Sequence, residues 1–153
     1  NFNGGGQLVV AGPIEALAAI AAEPVAGTRV IPLQVAGAFH TAYMQPAVAH
    51  LEQVVASMPK HDPTIPIYTN HDGSRVDSGE RFVQLLVGQV SSPVRWDLTM
   101  ASLAADGVSG LIELAPAGAL VGLAKRGLRG VPTIAVKTPD DLPAAIDLIE
   151  GKS

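Results

Sequence analysis

Cysteine is absent from the 153 residues, which excludes disulfides, thiolate nucleophiles and cysteine-ligated zinc or iron–sulfur centres. Aromatic residues make up only 4% of a chain that is 48% hydrophobic, so any core must be built from Ala, Val, Leu and Ile. That aliphatic bias suits buried parallel strands covered by helices. Basic residues are scarce: 10 Lys and Arg face 14 Asp and Glu, for a net charge of −4. A nucleic-acid surface would need the opposite balance, so no nucleic-acid partner is expected. No apolar run approaches the roughly 18 residues of a membrane span, and no signal peptide is visible. No membrane partner is expected, and the cytoplasm is the default location. The serine elbow G-x-S-x-G is missing too. "GVSGL" has the wrong spacing, because Gly110 directly follows Ser109, and nucleophilic catalysis is left without a visible attacker.

The length suits one domain with a sizeable core. The chain opens "NFNGGGQLVV", without methionine and with a strand almost at once. It is expected to be the later part of a longer protein, or one from which an N-terminal segment has been removed. Leu8–Ala11 reads as a short buried strand. Gly12-Pro13 then opens a helix with the stripe Ile14, Leu17, Ala18 and Ala21. "TRVIPLQV" is a second apolar run, edge-like or irregular because of Pro32. The clearest helix carries Met44, Ala47, Val48, Leu51, Val54, Val55 and Met58 at helical spacing. Thr41 could cap it, with Pro46 costing a backbone bond near the first turn.

"TIPIYTN" reads as a strand and "NHDGSRVDSG" as a turn-rich loop. Asp77 and Glu80 resemble a capping box opening a helix on which Phe82, Leu85, Leu86 and Gln89 share one face. A glutamine on an apolar stripe must find hydrogen-bond partners. After the break at Pro93, Trp96, Met100, Leu103 and Ala104 mark a helix closed near Gly107. "GLIELA" is a strand, "ALVGLAKRGL" a helix and "VPTIAV" the last strand. Thr138-Pro139 opens a final helix with Leu142, Ala145, Ile146 and Ile149 facing inward. Strand and helix alternate throughout, and the class is α/β.

The candidate chemistry is thin when read residue by residue. His40, His50, His61 and His71 lack the i, i+3 or i, i+4 pairing that places two ligands on one helix face, so no metal is expected. "GGGQLVV" precedes a strand, the wrong order for a dinucleotide fingerprint. "APAGALVGLAKRG" is not a phosphate loop and reads as a tight turn with helix packing. Lys125, Arg126 and Arg129 most simply complement a helix dipole, with docking of an acidic partner as the other reading. Glu113 interrupts an apolar strand and reads as hydrogen-bonded structure ahead of catalysis. For His40, in "VAGAFHTAYMQPA", the residues alone favour a structural role and leave a catalytic base open.

Five blocks change that balance. "NFNGGGQLVVAG", "VAGAFHTAYMQPA", "IPIYTNHDG", "GQVSSPVRW" and "LIELAPAGALVGLAKR" resemble, in that order, the C-terminal half of malonyl-CoA:acyl-carrier-protein transacylases. Acyltransferase domains of polyketide and type I fatty-acid synthases are similar. The resemblance implies a hydrolase-like parallel-sheet core over residues 38–153, plus residues 1–37 completing a small ferredoxin-like subdomain. It implies a ping-pong transfer of malonyl from malonyl-CoA to the phosphopantetheine thiol of acyl carrier protein in fatty-acid biosynthesis, with no cofactor beyond these substrates. The nucleophilic serine and a carboxylate-binding arginine belong to the family's N-terminal half, which thereby becomes a partner, and neither matches a position here. This segment alone is expected to be inactive.

On the same resemblance, His40 matches the catalytic histidine, which takes the serine proton and returns it to the departing thiol. Gln89 matches a position whose backbone carbonyl orients that histidine. Phe39 matches the aromatic of the malonyl-selective "AFH" form, as distinct from the "ASH" of methylmalonyl-selective domains. Asn1 and Asn3 match an N-x-N stretch near the acyl and pantetheine channel. The sequence departs from the family at "APAGAL", where many members read G-P-G. A synthase acyltransferase segment is the alternative within the class, and a non-catalytic α/β binding module the alternative outside it.

Overall fold

The computed structural model describes residues 1–152 and divides them into two compact units. The first comprises Asn1, Val9–Ile67 and Arg75–Val94; the second comprises Phe2–Leu8, Tyr68–Ser74 and the chain from Arg95 onward.

In the first unit, helix α1 (Ile14–Ala22) follows Pro13, whose missing N–H needs no partner at a helix start. None of its residues is buried, and Ile14 is 81% exposed. Residues 29–35 form no strand, and Ile31, Leu33 and Val35, at alternate positions, are all exposed. A 3₁₀ turn, Ala42–Met44, leads into α2 (Gln45–Ala56), and Thr41 Oγ1 accepts from the Tyr43 N–H at 3.2 Å. Pro46 therefore falls in the first turn of α2, where an absent donor costs little.

Helix α3 (Gly79–Gln89) is capped by Ser78, whose Oγ accepts from the Arg81 N–H, and not by Asp77 as the capping-box spacing suggests. The shift has a tertiary cause: the Gly79 N–H donates to Asp62 Oδ1, 17 residues away, at 2.9 Å, so the helix entry is fixed one residue later. The inward stripe of α3 also differs from expectation. Val87 is its buried aliphatic residue, while Leu86 is exposed.

The second unit begins with a glycine hairpin. Strands β1 (Phe2–Gly4) and β2 (Gln7–Leu8) pair antiparallel, with Phe2 opposite Leu8. The expected buried strand Leu8–Ala11 is not formed. Pairing turns back through Gly4, Gly5 and Gly6, all at positive φ, and Leu8 and Val10 are exposed.

Short strands β3 (Ile67–Tyr68) and β4 (Arg75–Val76) flank a tight loop in which the Thr69 N–H donates to Ser74 O and the Gly73 N–H to Thr69 O, both at 2.9 Å. Helix α4 (Trp96–Ala105) then closes at Gly107. Strands β5 (Leu111–Leu114) and β6 (Thr133–Val136) pair parallel and in register, joined by helix α5 (Ala119–Gly127) as a β-α-β crossover.

Met100, Leu123, Ala124 and Leu128 form the core of this unit, with Trp96, Leu103, Leu111 and Val131 around them. It is the aliphatic core that the composition requires. Helix α6 (Leu142–Ile149) follows a 3₁₀ turn, Pro139–Asp141, boxed by Thr138 and Asp141. Of its four expected inward residues only Ala145 is buried; Leu142, Ile146 and Ile149 are exposed. The helix is rotated so that Leu148 packs on Gly110, making Ala145 and Leu148 the inward pair. Among the described residues, no helix is long and apolar enough to cross a membrane.

Candidate active site

His40 stands just before the 3₁₀ turn, and among the described residues it is the one non-glycine residue at positive φ, at 66°. A side chain there costs about 1–2 kcal/mol, so something must hold it. Two hydrogen bonds do. The His40 backbone N–H donates to Val90 O at 2.9 Å, and Nδ1 lies 2.8 Å from Gln89 O. Both acceptors belong to the C-terminal end of α3, where carbonyls lack intrahelical donors.

A carbonyl can only accept, so Nδ1 carries the proton and the lone pair of neutral imidazole is left on Nε2. The arrangement fixes tautomer and ring direction, as the carboxylate of a triad does.

Gln89 reaches that position through its own side chain. Its amide donates to Ser92 O at 2.9 Å and to Pro93 O at 3.0 Å, locking the S-S-P turn that ends α3. The amide thus finds its partners locally at a half-buried position, and the backbone carbonyl of the same residue faces His40. The Phe39 ring lies over Gly37, 3.4 Å from where a Cβ would stand there, with Met44 Sδ beside the same point. Phe39 is half exposed.

Asn1 exchanges two backbone hydrogen bonds with Val9, at 2.7 and 3.0 Å. Asn3 belongs to the second unit, where its Nδ2 donates to Gln7 Oε1 at 3.1 Å. The structure thus joins His40 directly to Gln89, and Phe39 precedes His40 in the chain. His50, His61 and His71 are exposed. Among the described residues, no group of three or more His, Asp or Glu side chains is placed to hold a metal ion.

Glu113 is buried at the end of β5, and its carboxylate accepts from the N–H groups of Gly118 (2.9 Å), Leu120 (3.0 Å) and Val121 (2.8 Å). Burial pushes its pKa up, but these donors outweigh that and hold it below the usual carboxylate range. The N-terminus of α5, where a phosphate loop would bind its anion, is therefore taken by Glu113 itself.

Reading the sequence missed two features. The Val90 carbonyl acts through backbone alone and leaves no side-chain signal. Arg95 and Asp97 form a two-armed ion pair, Nε to Oδ1 at 2.9 Å and Nη2 to Oδ2 at 2.8 Å, which the "RWD" spacing could have suggested.

No family model matches the chain. Curated relatives do. It is 45% identical over 148 residues to the malonyl CoA-acyl carrier protein transacylase of Mycobacterium bovis, covering 97% of this chain and 49% of that protein. The chain belongs to the malonyl CoA-acyl carrier protein transacylase family. The transacylase of Escherichia coli K12 is 35% identical over 150 residues, again 97% of this chain and 48% of the relative. Among solved structures, MCAT from Mycobacterium tuberculosis superimposes with a TM-score of 0.83 at 45% identity, over 87% of this chain and 44% of that one. A malonyl-transacylase solved in complex with a type II PKS acyl-carrier protein matches with a TM-score of 0.71 at 32% identity, over 79% of this chain and 38% of that one. The chain thus spans about half the length of the transacylases it matches. Its α/β architecture, with a small parallel sheet, is that of part of the same fold.

Proposed function

We propose that this chain is the C-terminal half of a malonyl-CoA:acyl-carrier-protein transacylase of fatty-acid biosynthesis, working in the cytoplasm without a cofactor. In the complete polypeptide, residues 1–37 finish a small ferredoxin-like subdomain and residues 38–153 belong to the hydrolase-like core. His40 is the base that takes the proton of a serine supplied by the other half as that serine attacks malonyl-CoA. It then returns the proton to the departing CoA thiol. The malonyl ester is next transferred to the pantetheine thiol of the acyl carrier protein by the reverse sequence of proton steps. An arginine of the other half holds the malonyl carboxylate. Phe39 fills the space an α-methyl group would need, and Asn1 and Asn3 line the acyl and pantetheine channel.

The observation that carries this reading is the 2.8 Å contact of His40 Nδ1 with the Gln89 carbonyl, which leaves Nε2 free to act as a base. The other half as partner is supported by the apolar side chains left uncovered in the first unit, Ile14, Ile31, Leu33 and Val35 among them. The test is intact-mass measurement of malonyl loading on the complete protein. His40→Ala should slow ester formation severely, and loading at the wild-type rate would refute the assignment. These 153 residues purified alone should form no malonyl adduct, because no elbow serine lies among them.

A further inference from the structure

The N-x-N stretch at the start of the chain is gripped from one side by residues with no role in the reading above. Phe2 pairs with Leu8 and Gly4 with Gln7, so Asn3 is the extra residue of a bulge, and its direction is set by how Phe2 and Gly4 on either side of it are held. Phe2 lies under the guanidinium of Arg95, whose Cζ is 5.0 Å from the ring centroid. Gly4 meets α4 directly: a Cβ there would stand 2.7 Å from Met100 Cε and 3.6 Å from Asp97 Cα. The two neighbours of Asn3 are thus both held by the Arg95–Met100 segment, while the Asn3 amide bonds Gln7.

Arg95 is itself immobilised. Its two-armed pairing with Asp97 fixes the guanidinium plane, and its backbone N–H donates to Asn70 O at 2.7 Å. A planar cation held in this way is a rigid plate on which an aromatic ring can rest.

We propose that Arg95, locked by Asp97 and stacked on Phe2, is a positioning residue that fixes the orientation of Asn3 toward the acyl-pantetheine channel. The proposal rests on the assignment of Asn3 to that channel. Arg95 makes no substrate contact itself; its effect is transmitted through Phe2 and strand β1. Loosening the strand removes binding that ground state and transition state share equally, which raises KM and leaves kcat nearly unchanged.

The experiment is a double-mutant cycle in the complete enzyme, following steady-state KM for malonyl-CoA and kcat, with thermal unfolding of each variant as a folding control. Arg95→Met and Phe2→Leu should each raise KM about two- to fivefold, the range of a partly exposed cation–ring contact. In an Asn3→Ala background Arg95→Met should raise KM no further, because the residue it positions is gone. A KM rise of the same factor in both backgrounds would overturn the proposal while leaving the Asn3 assignment standing. No change in KM from Asn3→Ala itself would instead refute that assignment, and the positioning role with it. Should Arg95→Met fail to fold, Arg95→Lys keeps a cation over the ring and loses the two-armed pairing. Its smaller KM rise must likewise vanish in the Asn3→Ala background, and persistence there would overturn the proposal.

Discussion

His40 gives both its backbone N–H and its ring Nδ1 to consecutive carbonyls, Val90 O and Gln89 O, at the end of one helix. The histidine is thereby held at a φ of 66°, and the test of its role must separate chemistry from this strain. Asparagine tolerates the left-handed region better than most residues. His40→Asn in the complete protein should therefore unfold within a few degrees of wild type, while malonyl-ester formation falls by about 10²- to 10⁴-fold, the usual worth of a general base. Rapid-quench intact-mass kinetics beside calorimetry would check both halves of this expectation. Gln89→Leu acts differently. The backbone acceptor survives, but the amide bonds to Ser92 and Pro93 are lost, so a smaller fall in rate is expected from a misdirected ring.

Three carboxyls are held below their usual range: Glu113 by the N–H groups at the start of α5, which outweigh its burial; Asp97 by Arg95; and Asp141 by the N–H groups of Thr138 and Lys137. A carboxyl whose folded-state pKa lies below its unfolded value stabilises the protein above the unfolded value and loses that contribution as pH falls through the folded one. Stability should stay level from neutrality down to about the ordinary glutamate value of 4.5, then decline steadily in acid. Glu113→Gln places an amide NH₂ against backbone donors and should cost about 1–3 kcal/mol at neutral pH. It should also flatten the acid arm. Denaturant titrations at a series of pH values would show this, and an unchanged acid slope in the variant would contradict it.

Gly73 sits at a φ of 75° against the backbone of α4, where an added Cβ would lie 2.5 Å from the Leu98 carbonyl carbon. Alanine there incurs both the left-handed penalty and a clash with backbone that cannot rotate away. Gly73→Ala is expected to destabilise by about 2–5 kcal/mol. Equilibrium unfolding of the complete protein checks this, and a loss under 1 kcal/mol would show that the loop shifts freely.

The parts of the fold legible in the sequence are those set by local pattern. The β5-α5-β6 crossover follows from "LIELA", "ALVGLAKRGL" and "VPTIAV", and the aliphatic core follows from the scarcity of aromatics. The errors have tertiary causes. Asp62 takes the Gly79 N–H and moves the α3 cap to Ser78; Leu148 turns α6 onto Gly110; and the glycine hairpin pairs β2 backward with Phe2–Gly4. His40 read by itself favoured a structural role, because what makes it a base candidate is a backbone carbonyl 49 residues away, and carbonyls are common to every residue. The base role rests on the resemblance carried by "AFHT" and "GQVSSPVRW", which local chemistry alone does not give.

Phe39 offers the sharpest test of selectivity. Its ring covers Gly37 and lies beside Met44, one residue from His40, so on the mechanism proposed above its removal opens space next to the acyl group without touching His40. Phe39→Ala in the complete enzyme should leave malonyl loading within a few-fold of wild type. It should raise kcat/KM for methylmalonyl-CoA relative to malonyl-CoA by about 10- to 200-fold, the span that a methyl-sized difference in a hydrophobic pocket commands. Competition between the two thioesters, read by the mass of the acyl-enzyme, gives the ratio directly. An unchanged ratio would mean that another group, outside these residues, excludes the α-methyl.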